Sequence, residues 1–163
     1  MATPGSEPSV LVIGYGNRLR ADDGAGWEAA RRLQRRLPAR SATVRVAHQL
    51  LPEMAEPISR ANLVVFIDAR AGGGPGQVRR RQVRAARLTD GAVGHFLDPG
   101  GLLRLARALY GRAPRALLYS IGAVSFDHTM DLSPPVRRGL QDLVHDVVRD
   151  VGRFRSQRRP ARA

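Results

Sequence analysis

Two short, uninterrupted apolar runs constrain the fold of this chain more than any other feature. Residues 10–14 read VLVIG, and residues 62–67 read NLVVFI. Strands packed on one face alternate apolar and polar residues, whereas strands buried on both faces are apolar throughout. Parallel strands of the second kind need helices on both sides of their sheet. The two runs therefore predict the centre of a mainly parallel sheet covered on both faces.

The other segments place helices between the strands. The order that we predict is strand 10–14, a helix ending at Leu37 before Pro38, strand 43–47, helix 52–60, strand 62–67 ending at Asp68, a Gly/Pro loop, edge strand 77–88, helix 98–110, strand 116–124, and a last helix that starts at Ser133. Strands that alternate with helices favour an α/β fold. The arginine-rich edge strand is expected to run antiparallel, because only the Gly/Pro loop precedes it.

Length and composition set limits on the class of protein. The chain has 163 residues and no cysteine, so it has the size of one domain and excludes disulfides, thiolate metal sites and a cysteine nucleophile. We expect a flexible N-terminus over residues 1–9, a single domain over 10–152, and an arginine-rich disordered tail over 153–163. No apolar run is long enough to cross a bilayer, and the first residues do not resemble a secretory signal. These features predict a cytoplasmic protein.

The chain is strongly basic. Its formal net charge is +13, and all 27 basic residues are arginine. A basic protein can bind nucleic acid or an acidic protein surface. The arginines are scattered along the chain, however, which is typical of a solvated surface, so an arginine-rich anion-binding or nucleic-acid-binding module is the weaker interpretation.

The turn after the first strand carries both glycines and carboxylates. It reads GYGNRLRADDG, and Gly14 and Gly16 fit two of the three glycines of a dinucleotide-binding fingerprint. Leu19 stands where the third glycine is needed, and the chain has no lysine for a phosphate-binding loop. Asp22 and Asp23 would repel a phosphate. The turn therefore disfavours a nucleotide site.

The same carboxylates suit a cation. Asp22 or Asp23 follows the first strand, Asp68 ends the third, and His95 lies in a loop that leads to a helix. Ligands of open α/β sheets bind outside the carboxyl ends of the strands. Two carboxylates and one imidazole predict a site for a divalent metal, with Ni, Zn, Fe and Mn equally compatible.

Each of these residues also has a structural interpretation. Asp22 and Asp23 are candidate N-caps of the first helix, and Asp98 is a helix cap with Pro99 at the first helical position. A lone histidine such as His95 is ordinarily structural. Asp68 is the hardest to explain in this way, because an unpaired carboxylate at the end of a buried strand is costly.

Four segments resemble the nickel–iron hydrogenase maturation proteases. They are VLVIGYGNRLRADDGAGWEAARRL, HQLLPEMAEPISRANLVVFIDA, HFLDPGGLLRLARALYG and LLYSIGAVSFDHTMDLSPPVRRGL, which occur in the family's order across nearly the whole domain. The resemblance implies a three-layer α/β/α sandwich with a twisted, five-stranded, mostly parallel sheet and one antiparallel strand, of the phosphorylase/hydrolase-like type. It also implies that Asp23, Asp68 and His95 bind nickel. We expect Asp23 and Asp68 to be the catalytic carboxylates.

The resemblance further implies a substrate and a reaction. The substrate is a nickel-loaded hydrogenase large-subunit precursor, from which the endopeptidase removes a C-terminal extension and so completes maturation. Nickel is then carried by the substrate, nucleic acid and membranes are not partners, and we expect a monomer. Such enzymes are often classed as aspartic-type, and another metal-dependent hydrolase on the same scaffold is the alternative.

The sequence departs from the family's pattern at two places. Some members carry Asp-Gly-Gly-Thr where this chain reads His48-Gln49-Leu50, and some carry glutamate at the position of Asp23.

Two mechanisms of hydrolysis are possible. Either the metal polarises the scissile carbonyl or activates water, or it only docks the substrate while Asp22, Asp23 or Asp68 acts as general base.

Overall fold

A five-stranded sheet forms the centre of the computed structural model, which describes residues 9–86 and 97–158. The strands are β1 (Val10–Tyr15), β2 (Thr43–Ala47), β3 (Leu63–Arg70), β4 (Val78–Val83) and β5 (Arg115–Gly122). The helices are α1 (Ala25–Arg36), α2 (Ala55–Arg60), α3 (Pro99–Tyr110) and α4 (Pro134–Arg158), with 3-10 turns at Ala21–Gly24 and Pro52–Met54.

The strand order is β2-β1-β3-β5-β4, and all neighbouring pairs are parallel except β4 with β5. The prediction of a mostly parallel sheet with an antiparallel, arginine-rich edge strand is therefore confirmed. From β1 the chain crosses to β2, which lies on one side of the central pair β1 and β3. From β3 it continues to β4 and β5, which lie on the other side. Such a reversal opens a crevice where the two strands end, at what we call the carboxyl edge of the sheet.

Two apolar cores separate the three layers. One core packs α1 and α4 against one face of the sheet, with Leu33, Leu140 and Val147 fully buried. The other packs α2 and α3 against the opposite face, with Ile58 and Leu102 fully buried. The central strands are buried on both faces, which is why their sequences are apolar without alternation.

Several predicted boundaries were wrong. The edge strand β4 ends at Val83, although the prediction extended it to residue 88, and β5 ends at Gly122 and not at residue 124. The first helix has Gly24 at its N-cap with no side-chain cap, because Asp22 and Asp23 lie in the preceding 3-10 turn. Strand β3 continues past Asp68 to Arg70, since it pairs with β5 as far as Gly122. Helix α4 continues to Arg158.

The longer helix α4 alters the expectation for the tail. Residues 153–158 were predicted to be disordered, but they are helical, and Phe154 is buried in the core beneath α1 and α4. The Arg155 guanidinium also donates to the carbonyl of Arg40 at 2.6 Å. Residues 1–8 and 159–163 lie outside the described residues, so the rest of the predicted termini stays a prediction.

Among the described helices, none combines the length and the apolar character needed to cross a bilayer.

Candidate functional site

An open cavity of about 530 Å³ lies at the carboxyl edge of the sheet. The loop after β1, the loop after β2, the end of β3 and the start of α3 form its wall. Its charged and polar lining consists of Tyr15, Asn17, Arg20, Asp23, His48, Gln49, Asp68, Arg81 and Asp98. Its size is within the range of ligand-binding clefts.

The loop after β1 fixes the carboxylate of Asp23. The backbone N–H of Asn17 donates to Asp23 Oδ2 at 2.9 Å, and the Asn17 side chain accepts from Leu19 N at 2.9 Å. Gly16 has a φ of +144°, and a Cβ at this position would overlap the carbonyl oxygen of Asp23. The loop can therefore fold back on itself only with glycine at this position.

Asp68 has the more perturbed carboxylate. Burial raises the pKa of Asp68 to about 6, and the charge of Asp23 acts in the same direction, while hydrogen bonds from the Tyr15 hydroxyl and the Ala69 backbone oppose the rise. Burial and the neighbouring Asp68 also raise the pKa of Tyr15, so this hydroxyl stays a hydrogen-bond donor. The result is a carboxyl group that changes protonation close to neutral pH.

The structure brings together two of the three predicted ligands. Asp23 and Asp68 line the same cavity, and His48 and Asp98 line it with them. His95 lies outside the described residues, so its predicted role stays a prediction. Within residues 9–86 and 97–158, no group of three or more His, Asp or Glu side chains is close enough to hold a metal ion. The described donors, two carboxylates at an open cavity, fit an incomplete site for a divalent cation.

Asp22 has a structural role that neither sequence interpretation included. Its side chain is fully buried and accepts hydrogen bonds from the backbone N–H groups of Val124 at 2.8 Å, Ser125 at 3.1 Å and Ser133 at 2.7 Å, and from the Ser133 hydroxyl at 2.8 Å. Burial alone would raise the pKa of Asp22, but these hydrogen bonds outweigh it and lower the pKa. Asp22 therefore ties the loop between β5 and α4 to the loop after β1.

Asp98 is the helix cap that the sequence predicts. Its Oδ1 accepts from the backbone N–H of Gly101 at 2.6 Å at the start of α3. The same helix ends at Gly111, which has a φ of +72°. Asp98 thus lines the cavity while its carboxylate is engaged in capping.

A smaller groove adjoins the cavity. It has a volume of about 290 Å³ and shares Gly16, Asn17 and His48 with the larger cavity. Its outer part is apolar and exposed: Leu19 is 62% exposed and Met130 is 57% exposed. Cavity and groove together form a continuous surface with carboxylates at one end and apolar side chains at the other.

Sequence reasoning missed Tyr15 as a partner of Asp68. The register of β1 against β3 would have revealed this pair. Gly14 pairs with Ile67, so the next residues of the two strands, Tyr15 and Asp68, lie side by side. The partners of Asp22 carried no such signal, because they lie more than a hundred residues away along the chain.

Comparisons with known proteins give similar structures. No family profile and no curated protein sequence matches the chain. The hydrogenase maturating endopeptidase HybD from E. coli is 18% identical, with 90% of this chain and 93% of that chain covered and a TM-score of 0.73. A hydrogenase 2 maturation peptidase from a Thaumarchaeota archaeon is 25% identical, with 88% and 98% covered and a TM-score of 0.66.

A third structure supports the same relationship. The NiFe hydrogenase maturation protease HycI from Thermococcus kodakarensis is 20% identical, with 91% of this chain and 94% of that chain covered and a TM-score of 0.70. All three similarities extend over nearly the full length of both chains. In fold, the chain belongs with the hydrogenase maturation endopeptidases.

Proposed function

We propose that this protein is the endopeptidase that removes the C-terminal extension of a nickel-loaded NiFe hydrogenase large-subunit precursor. The observation that carries the proposal is the position of Asp23 and Asp68 in one open cavity at the carboxyl edge. These are the two carboxylates that the resemblance assigns to nickel binding and that we expect to be catalytic, and the fold around them is that of maturation endopeptidases.

Nickel enters this proposal as part of the substrate. Asp23 and Asp68 supply two oxygen donors, and His95 supplies the imidazole that the resemblance implies. A ligand set with open positions suits a metal ion that the substrate already holds, because the substrate's own ligands complete the coordination. The nickel then signals to the protease that the precursor has been loaded.

The hydrolytic step needs a group that can take a proton from water. Asp68 is the best candidate, because burial gives it a pKa of about 6 and the Tyr15 hydroxyl orients its carboxylate. In the alternative mechanism, the substrate's nickel polarises the scissile carbonyl and both carboxylates act as its ligands.

The groove next to the cavity supports a polypeptide substrate. Trp27, Leu19 and Met130 give it an apolar lining, and the Arg18 guanidinium lies 3.9 Å from the centre of the Trp27 ring. An extended peptide in the groove would lead directly to Asp23 and Asp68. An arginine-rich nucleic-acid-binding module is not favoured, because it would give the partly buried Asp68 no role. We further propose that the protein acts as a monomer in the cytoplasm and is aspartic-type in mechanism.

Mass spectrometry of the precursor tests the proposal. A nickel-loaded large-subunit precursor incubated with this protein is expected to lose one defined C-terminal peptide, and a nickel-free precursor at the same concentration is expected to stay intact. Absence of cleavage in both samples, or cleavage at many positions, would contradict the proposal.

A concentration series separates the two mechanisms. If nickel only docks the substrate, a large excess of enzyme restores cleavage of the nickel-free precursor, because mass action replaces the lost affinity. If nickel takes part in hydrolysis, the nickel-free precursor stays intact at every enzyme concentration.

A further inference from the structure

The last residue of β3 is an arginine held beside the candidate site. Arg70 follows Asp68 by two positions, so both side chains leave the same face of the sheet, the face covered by α2 and α3. Its Nη1 donates to the carbonyls of Ser120 and Gln77, each at 3.0 Å, and to the Ser120 hydroxyl at 3.3 Å. These bonds fix the guanidinium group over the end of β5.

The other side of the guanidinium has no partner. Nε and Nη2 of Arg70 are buried and form no hydrogen bond in the described part of the chain. These two nitrogens present parallel N–H groups, the arrangement that binds both oxygens of one carboxylate. A buried donor without a partner costs roughly 1–3 kcal/mol. Burial also lowers the pKa of Arg70, in the same direction as the charge of Arg79.

Glycine leaves room at this Nε–Nη2 edge. A Cβ on Gly73 would lie 3.0 Å from Nη2 and 3.1 Å from Nε, and a Cβ on Gly122 would lie 3.4 Å from Nη2. Gly73 has a φ of +80°, which disfavours any other residue there. We call residues 71–76 the glycine loop. Its first five residues are exposed, so the loop that packs against the Nε–Nη2 edge lies at the surface.

The surroundings carry positive charge. Arg79 pairs with Ser120 and Arg81 pairs with Leu118, so both arginines leave the same face of the sheet as Arg70. None of the three forms an ion pair among residues 9–86 and 97–158. These arginines therefore favour an anion on the Arg70 side of the cavity, which Arg81 lines together with the carboxylates of Asp23 and Asp68.

We propose that the Nε–Nη2 edge of Arg70 binds a carboxylate of the polypeptide substrate when the glycine loop moves aside. This inference rests on the proposed function for the identity of its ligand. A carboxylate bound there would anchor the substrate at the end of β3. The part of the peptide next to this carboxylate would then be held beside Asp68. Arg70 is a binding residue in this account and takes no part in hydrolysis.

Binding of a carboxylate can be tested without any protease substrate. The probe is sodium acetate, titrated into 15N-labelled protein while the Nε–H signals of the arginines are followed by NMR, with sodium chloride as the ionic-strength control. The signal that disappears in Arg70→Gln is assigned to Arg70. We expect this signal to shift saturably with acetate and not with chloride. No shift, or an equal shift with both salts, would overturn the proposal.

Processing kinetics test the role in substrate binding. Arg70→Gln is expected to raise KM about tenfold or more at nearly unchanged kcat, which corresponds to the loss of a charge-assisted pair. Arg70→Lys keeps the charge but cannot form the paired contact, so its KM should also rise. Arg84→Gln removes an equal charge at the opposite end of β4, on an exposed residue, and should change KM by no more than about twofold.

The outcomes distinguish this inference from the proposed function. An acetate-specific shift without any processing by the wild-type protein would leave the anion site standing and refute the protease. Processing with wild-type KM in both Arg70 variants would refute the substrate anchor and leave the protease intact. If Arg70→Gln does not fold, the KM of Arg70→Lys is compared with that of the wild type instead. Substrates with an amidated C-terminus, or with acidic side chains replaced by amides, identify which carboxylate Arg70 binds.

Discussion

At the scale of single residues, adjacent aspartates have different roles. The side chain of Asp22 is fully buried and accepts four hydrogen bonds from described residues, whereas the side chain of Asp23 accepts one from them and faces the cavity. The sequence could predict that one of them reaches the carboxyl edge, but it could not choose between them. That choice depends on Ser133 and the loop after β5, which are distant in sequence.

Asp22→Asn should destabilise the protein strongly. The amide would place an NH₂ group against N–H donors in either orientation, at a cost of about 2–4 kcal/mol in the free energy of unfolding at pH 7. Urea unfolding measures this cost. Asp127→Asn is the matched control, since Asp127 is exposed in the loop between β5 and α4 that Asp22 holds, and this substitution removes the same charge.

The cost should depend on pH in a defined direction. Because the pKa of Asp22 is lowered in the folded state, its stabilisation is present above the unfolded pKa of about 3.9 and is lost as the pH falls through the folded pKa. The difference between wild type and Asp22→Asn should therefore shrink below about pH 4. A difference that grows on acidification would contradict the assignment.

Asp68→Asn should have the opposite effect on stability. Burial raises the pKa of Asp68 to about 6, so charging this group costs the metal-free folded protein stability as the pH rises from about 3.9 through 6. The variant should gain about 1–3 kcal/mol at pH 7.5 and little at pH 4, by urea unfolding in the presence of a chelator. Equal stability of both proteins at pH 7.5 would be inconsistent with a buried charge at this position.

At the scale of elements, local signals predicted helix α3 to the residue. Asp98 and Pro99 at its start and Gly111 after its end are cap signals that depend only on neighbouring residues. The end of α4 was misjudged for the opposite reason. Its last turns are rich in arginine, and only the packing of Phe154 against the core shows that they are held in place.

The run Arg79–Arg81 shows a further limit of sequence patterns. Arg80 pairs with Asp150 of α4 at 2.6 Å on one face of β4, while Arg79 and Arg81 lie on the other face. The alternation of a strand divides a continuous charge run between two environments. The edge position of β4 was predicted from this run, but the ion pair between Arg80 and Asp150 was not.

Phe154→Ala should destabilise the protein by about 3 kcal/mol, because it removes a large side chain from the core. Gln157→Ala, on an exposed part of the same helix, should have little effect. Thermal or urea unfolding checks both. A chain truncated after residue 152 should behave like Phe154→Ala or worse, and wild-type stability of that truncation would show that the last turns of α4 are dispensable.

At the scale of the whole molecule, the order of the strands determines which residues meet. Asp23 lies in the crossover after β1 and Asp68 lies near the end of β3, and they meet because β1 and β3 are neighbours that end at the same edge. The apolar runs of the two strands predict this neighbourhood. They do not predict the depth to which each carboxylate is buried, since that depends on the loops and on Tyr15.

The most direct test of the central claim compares three carboxylates of the same cavity. Nickel-loaded precursor is incubated with Asp23→Asn, Asp68→Asn or Asp98→Asn, and release of the C-terminal peptide is measured by mass spectrometry. Asn still caps a helix, so Asp98→Asn should process the precursor at nearly the wild-type rate, whereas the other two should lose at least about a hundredfold. Full processing by Asp23→Asn and Asp68→Asn would contradict the account.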